Sequence, residues 1–267
     1  MKQLKLMVLT LTLLMGTMFT SCMDSGESGP QQWAGVVKVN DRMGYVTFTD
    51  AAGTELIPTN TIPVTLNARM AYIYCQVDEG QDLSTNPKSI KITLLADPTG
   101  IDATAITTPK VGESSNVTTN APVGSLSFAS GYSTVAPFQF SENTIVLPVL
   151  YRVKNVTTTE DIKNELAKHT FTLVCYTDDI KSGDTILKLY LRYKVEDEPA
   201  AIAERATRTS SFKAYEISQI LREYTLKSGQ AKPAKITIVA QQNEYNNKLE
   251  DTSTIEKVYE IEYKTAE

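Results

Sequence analysis

The sequence predicts an all-β fold with a minor share of helix, on three observations. Leu187, Leu189, Leu191, Tyr193 and Val195 alternate with Lys188, Tyr190, Arg192 and Lys194. One face of that strand enters a core and the other meets water, as in an antiparallel sheet. Residues 33–111 hold short alternating runs separated by tight-turn clusters such as Asp50-Ala51-Ala52-Gly53. The helical signals are short: a capped segment after Thr158 and an Ala-rich one after Pro199. Hydrophobic residues make up 42% of the 267-residue chain, enough apolar surface for real cores and too much for global disorder.

Taken in order, residues 33–40 form a strand, 41–44 a turn, 45–49 a second strand, and 50–53 a turn into a third strand over 54–58. Strands over 70–77 and 89–95 follow, separated by a polar loop. Five strands in so short a span predict a small, partly open barrel of the OB type over residues 33–111. Residues 112–121 begin with a Gly, Ser, Thr and Asn-rich run that marks a linker. The second domain, 122–267, carries short strands at 126–128 and 138–140 and a long one at 144–153. A helix through His169 follows, capped by Thr158 or Thr159, with Ile162 and Leu166 on a shared face. Strands at 170–176 and 187–195 come next, then a helical turn from Pro199 to Ala206, where proline takes a tolerated first position. The domain ends with a strand at 212–217, a helix at 218–224, and strands at 235–241 and 257–264. The last of these buries Tyr259, Ile261 and Tyr263. This pattern predicts an antiparallel β-sandwich with short helical connections, and no internal repeat suggests a solenoid or propeller.

The N-terminus gives an address. Lys2 and Lys5 precede an apolar stretch over residues 6–19, which suits a signal peptide but falls short of the roughly 20 residues of a membrane-spanning helix. Phe19-Thr20-Ser21-Cys22 resembles the lipobox of bacterial lipoproteins, with Phe19 in place of the usual Leu. The resemblance implies removal of residues 1–21 and diacylglycerol on the Cys22 thiol. Several acyl chains, at about 0.8 kcal/mol per buried CH₂, anchor a protein firmly. Residues 22–32 are small, polar and acidic, a tether between lipid and fold. Asp24 and Glu27 partly resemble the surface-export signals of Gram-negative lipoproteins. The expected location is the outer membrane, on its periplasmic or surface-exposed face, with the membrane itself as first partner through the acyl chains on Cys22.

The order of parts resembles the NigD-like lipoprotein family. The resemblance rests on the lipobox, on Trp33-Ala34-Gly35-Val36-Val37-Lys38-Val39, and on Gly44-Tyr45-Val46-Thr47-Phe48-Thr49 running into Gly53-Thr54-Glu55-Leu56-Ile57-Pro58. It extends through Ser89-Ile90-Lys91-Ile92 to Asp184-Thr185-Ile186-Leu187-Lys188-Leu189 and Tyr259-Glu260-Ile261-Glu262-Tyr263. It implies an N-terminal OB-like barrel and a C-terminal β-sandwich. The family is named for an association with bacteriocin genes, where an immunity role has been suggested, and it implies no particular chemistry. The Ser/Thr-rich insertion and the segment from Pro199 to Thr209 depart from its pattern, so functions of those loops do not carry over.

Charge and chemistry narrow the function further. The net charge is −5, and loss of Lys2 and Lys5 makes the mature chain more acidic still. Acids also outnumber bases within the barrel, which excludes a general nucleic-acid binder. His169, the only histidine, is placed at a helix end, where the dipole favours it. No Gly-x-Ser-x-Gly elbow accompanies it. One histidine with Cys75 and Cys175, expected as separate buried thiols on two strands, supplies no zinc site. The acidic run from Asp178 to Asp184 lacks the alternating ligands of a calcium loop and fits a hairpin turn. No cofactor, metal or catalytic residue is therefore expected. Two surfaces remain. Tyr72 and Tyr74, opposite an apolar row, either pack a domain interface or form an exposed platform. Lys188, Tyr190 and Arg192 form either a solvated sheet face or a ligand surface. The expected function is a lipid-anchored, non-enzymatic interaction protein with a protein or glycan partner at the envelope. The alternatives are a bacteriocin-immunity or toxin-sequestering lipoprotein, and a hydrolase acting on glycan or peptide.

Overall fold

The computed structural model describes residues 31–42, 44–60, 66, 68–83, 87–109, 117–130 and 133–265. The expected signal peptide, Cys22, most of the tether and residues 112–116 of the expected linker lie outside the described residues. The chain divides into two compact units. The first takes the described residues up to Ala103 together with Ala129–Val135, and the second takes Thr104–Phe128 and Ala136–Glu267. The change of unit thus falls at Thr104, ahead of the polar run that begins at Gly112.

The first unit is built on a barrel of five strands, β1 (Gln32–Arg42), β2 (Tyr45–Thr49), β3 (Glu55–Pro58), β4 (Met70–Val77) and β5 (Ser89–Leu94). Their order is β1-β2-β3-β5-β4, and β4 pairs back onto β1, so the ring closes. The sequence suggested a partly open barrel. Closure follows from the length of β1: its first part pairs β4 from Gln32↔Gln76 to Lys38↔Met70, and its second part pairs β2 from Lys38↔Thr49 to Arg42↔Tyr45. One strand therefore serves two neighbours and leaves no edge there. The β3–β5 pair is parallel, with Leu56 opposite Ile90. Val37, Phe48, Ala71, Ile73, Cys75 and Ile92 fill the interior. The Trp33 ring packs against Gly35, where a Cβ would fall 2.6 Å from the ring. Gly53, at φ +88°, takes the left-handed position of the turn after Asp50, whose carboxylate accepts from the Ala52 and Thr54 N–H groups. A short strand that the sequence did not reveal, β6 (Thr99–Ile101), pairs with β4.

The second unit is a sandwich of two four-stranded sheets. One sheet has β7 (Ala103–Ala105), β10 (Phe138–Ser141), β11 (Thr144–Val153) and β14 (Thr207–Glu216), in the order β10-β11-β14-β7. Between β7 and β10 in the chain, β8 (Phe128–Ser130) and β9 (Ser133–Val135) pair with each other, and Ala129–Val135 belong to the first unit. The other sheet runs β12 (His169–Val174), β13 (Ile186–Val195), β15 (Lys235–Gln242) and β16 (Ile255–Glu262). Leu147, Val149 and Tyr215 from one sheet and Leu173, Leu189, Ile238 and Ile261 from the other share a single core. The sandwich is not wholly antiparallel, because β13 and β15 pair in parallel, Leu187 opposite Ile236. The chain leaves β13 through α2 (Pro199–Ala203), crosses the other sheet as β14, and returns through α3 (Ser218–Ser228), so it re-enters beside β13 in the same direction.

Helix α1 (Thr159–Ala167) is shorter than expected. Thr158 caps it, its hydroxyl accepting from the Asp161 N–H at 3.1 Å. Ile162 and Leu166, however, each remain 43% exposed, and the residue turned inward is Glu165. His169 does not end this helix but opens β12, because Lys168 already closes the last turn. Helix α3 runs beyond Tyr224 to Ser228 and stops at Gly229 in the left-handed conformation, φ +75°. The Asp178–Asp184 segment joins β12 to β13 as a hairpin connection with a 3₁₀ turn at Thr177–Asp179. Cys75 and Cys175 are free and buried, one in each unit.

Candidate functional site

The outer face of β13 gathers the polar aromatic cluster. Leu187, Leu189, Leu191 and Tyr193 are committed to the core, so strand alternation sends Lys188, Tyr190 and Arg192 outward together. Tyr176, just past the end of β12, joins them because Val174 pairs with Tyr190 across the ladder. The Tyr176 and Tyr190 rings meet edge to face, with centroids 5.3 Å apart and planes at 67°. The Arg192 guanidinium carbon stands 5.2 Å from the Tyr190 centroid and 5.8 Å from that of Tyr176, and its Nη2 donates to the Tyr176 hydroxyl at 3.0 Å. On the other side of Tyr190 along the strand, the Lys188 ammonium lies 5.0 Å from the same ring. Hydrogen bonding to Tyr190 holds Lys188 above its ordinary pKa. Each such cation–π contact contributes about 0.5–1 kcal/mol at an exposed site, so the rings fix the cations more than they stabilise the fold.

A cleft of about 460 Å³ opens beside Arg192, lined also by Tyr176, Thr118, Thr119, Gln241 and Leu249. Its walls come from five separate stretches. Gln241 follows in register after the parallel Leu191↔Ala240 pair, so it stands beside Arg192. Thr118 and Thr119 are brought there by Asn120, which imitates a strand residue. Its backbone N–H donates to the Tyr193 carbonyl, its Nδ2 to the Val195 carbonyl at 2.9 Å, and its Oδ1 accepts from the Val195 N–H at 2.8 Å. The Thr119 hydroxyl is buried without a hydrogen-bond partner. Lys235 ion-pairs with Glu260 and Glu262 at 2.9 and 3.1 Å. Lys188 and Arg192 enter no ion pair among the described residues.

A second polar constellation lies inside the sandwich. Arg205, 1% exposed, donates from Nε to Glu165 Oε1 at 2.7 Å and from Nη2 to Glu165 Oε2 at 3.2 Å and Asp197 Oδ2 at 3.0 Å. Its Nη1 reaches the Ala201 carbonyl at 2.9 Å. His169 Nδ1 meets the Tyr193 hydroxyl at 2.7 Å and its Nε2 meets Glu165 at 3.4 Å. Burial pushes the imidazole below its ordinary pKa, against the opposing pull of Glu165. Burial alone would raise Glu165, but the Lys154 N–H and the Arg205 guanidinium more than offset it and hold the carboxyl below its usual value. Every strong group here has a protein partner. The constellation is a clasp joining α1, β12 and α2, and it presents no free base or nucleophile.

The other sequence-chosen residues fall elsewhere. Tyr72 and Tyr74 lie on β4 in the first unit, the former half-buried and the latter exposed with its hydroxyl donating to Gln32. Cys22 lies outside the described residues. Burial pushes the Cys75 and Cys175 thiols up to about 12, so neither is a thiolate near neutral pH. Among the described residues, no group of three or more His, Cys, Asp or Glu side chains is arranged to hold a metal ion. No helix among them is long and apolar enough to cross a membrane. Sequence reasoning missed Tyr176, Thr119 and Gln241. The only signal for Tyr176 was its place at the end of the expected strand 170–176.

No family model matches the chain, and no curated protein matches it. Among solved structures it is similar to a protein of unknown function, DUF1344, from Bacteroides vulgatus, at 12% identity over 87% of this chain and 91% of that one with a TM-score of 0.55. That likeness shows the fold alone. It is similar also to a protein of Bacteroides fragilis described as a candidate lipoprotein, at 95% identity with a TM-score of 0.82, covering 89% of this chain and all of that one. With so little divergence over so much of its length, the chain belongs to the family of this Bacteroides fragilis candidate lipoprotein.

Proposed function

We propose that this chain is a lipid-anchored binding protein of the bacterial envelope, held at the outer membrane by acyl chains on Cys22 and working by contact rather than catalysis. The lipobox ending at Cys22 supports the anchor, as does the description of the Bacteroides fragilis relative as a candidate lipoprotein. The quoted segments support a place among NigD-like lipoproteins. One observation carries the binding reading: Lys188, Tyr190 and Arg192 join Tyr176 on one sheet face, beside a cleft, and neither cation forms a salt bridge among the described residues. Aromatic and arginine side chains are the residue types in which binding energy concentrates. The sealed His169 and the two protonated thiols support a non-catalytic role.

Two measurements test the reading. Cys22→Ser moves the chain from the membrane fraction to the soluble fraction; retention in the membrane fraction overturns the anchor. Replacing Tyr190 with a photo-crosslinking benzoylphenylalanine captures an envelope component in living cells, whereas the same residue at Tyr245, which is 78% exposed, captures none. Equal capture at both positions overturns the assignment of this face.

A further inference from the structure

We infer that the cleft beside Arg192 binds a carboxylate-bearing saccharide of the uronic-acid class. The inference rests on the reading of the β13 face as the ligand surface and names the chemistry that this face accepts. Arg192 is the cation of the cleft. Its Nη2 donates to the Tyr176 hydroxyl and its guanidinium carbon lies 5.8 and 5.2 Å from the Tyr176 and Tyr190 ring centroids, while among the described residues no carboxylate ion-pairs with it. A guanidinium held by one hydrogen bond and two rings keeps further N–H donors for a planar carboxylate, and such bracing lowers the entropy lost on binding. A single cation suits a single negative charge. A phosphate dianion calls for a second cation, and Lys188 stands outside the lining, beyond Tyr190.

The rest of the lining selects a sugar. Thr118 and Gln241 offer a hydroxyl and an amide group to the hydroxyls of a sugar. Tyr176 supplies an aromatic wall of the kind that packs against the C–H face of a pyranose. The cleft, about 460 Å³ and largely open to solvent, admits a short saccharide lying across the sheet face. An acidic peptide would instead use strand-edge hydrogen bonds or apolar side-chain pockets, and neither Val117 nor Leu249 makes such a pocket alone.

The test uses the full lipidated chain in detergent micelles, titrated calorimetrically with trigalacturonate, its methyl ester and a tetraglutamate peptide. The expected result is that trigalacturonate binds at least about tenfold tighter than the ester, the worth of one charge-assisted hydrogen bond. Arg192→Gln removes that difference, and Lys194→Gln, outside the cleft, stays within about twofold of the unmodified chain. Tyr176→Phe removes only the hydroxyl that orients Arg192, so it retains the fold and gives a partial loss. Circular dichroism verifies the fold of each variant. Equal affinity for acid and ester, an equal effect of Lys194→Gln, preference for tetraglutamate, or no binding at all overturns the inference. If the ester or the peptide binds and Arg192→Gln abolishes it, the saccharide acid is wrong but the face stands. If benzoylphenylalanine at Tyr190 also captures nothing, the face itself is wrong.

Discussion

Arg205 enters the core of a β-sandwich because each edge of its guanidinium meets an acceptor: Glu165 twice, Asp197 and the Ala201 carbonyl. A buried pair of this kind stabilises little over an apolar replacement, but losing one member leaves an uncompensated charge. Arg205→Ala should therefore cost about 3–5 kcal/mol in urea denaturation, and a loss below 1 kcal/mol would show that water reaches Glu165. The same cluster sets the acid limb of stability. The unfolded histidine takes up a proton near its ordinary value of 6.5, whereas the folded His169 resists it. The unfolded state then binds more protons, so stability falls as pH drops below 6.5 toward the lowered folded value. Glu165, also lowered, contributes stability that is present above its unfolded value of 4.5 and is lost as pH falls through its folded value. His169→Phe should flatten the upper part of this decline and leave the lower part. An unchanged upper part would show that the imidazole protonates freely in the fold.

Single strands decide more than their length suggests, and β1 is the clearest case. It closes the barrel by serving both β2 and β4, and it seats the only tryptophan against its own backbone at Gly35. A Cβ at that position would overlap the ring, so Gly35→Ala should lift Trp33 into water. Its emission should shift to the red, with about 1–3 kcal/mol lost, the usual cost of overpacking. Unchanged emission would mean that the ring is not held by the strand. Elements of this kind were legible where one face is buried and the other is not. Leu187 to Val195 alternates without a break, and the bounds of β4 and β11 follow from turn residues on either side. Legibility ended where partners are remote. The parallel β13–β15 pair depends on a crossover that no local pattern encodes, and Thr99–Ile101 is too short to show a period. On α1, the i, i+4 spacing of Ile162 and Leu166 marks a shared face but not where it points, and it is Glu165 that the helix buries. The cleft was half legible. Lys188, Tyr190 and Arg192 could be found because they share a strand, while Thr119, Tyr176 and Gln241 come from distant segments that only the fold brings together.

At the scale of the whole molecule the chain holds two hydrophobic cores, each with its own buried cysteine. The two units do not follow each other cleanly in sequence. The first is completed by Ala129–Val135, which lie downstream of the first stretch of the second. The polar run that begins at Gly112 has the composition of a preferred nick site, and its sequence contains Glu113, the residue type that a glutamate-specific protease cuts after. A cut there leaves an upstream fragment with the five barrel strands and a downstream fragment that still carries Ala129–Val135. Gentle digestion should therefore give two bands on a denaturing gel. In native gel filtration the same fragments should elute together at the position of the intact chain, because the downstream piece retains part of the first unit. In urea they should separate. First cleavage within β13 would contradict the sheet at the centre of the sandwich. Fragments that part under native conditions would show that Ala129–Val135 contribute little to the first unit, and that the two cores are joined only by the chain.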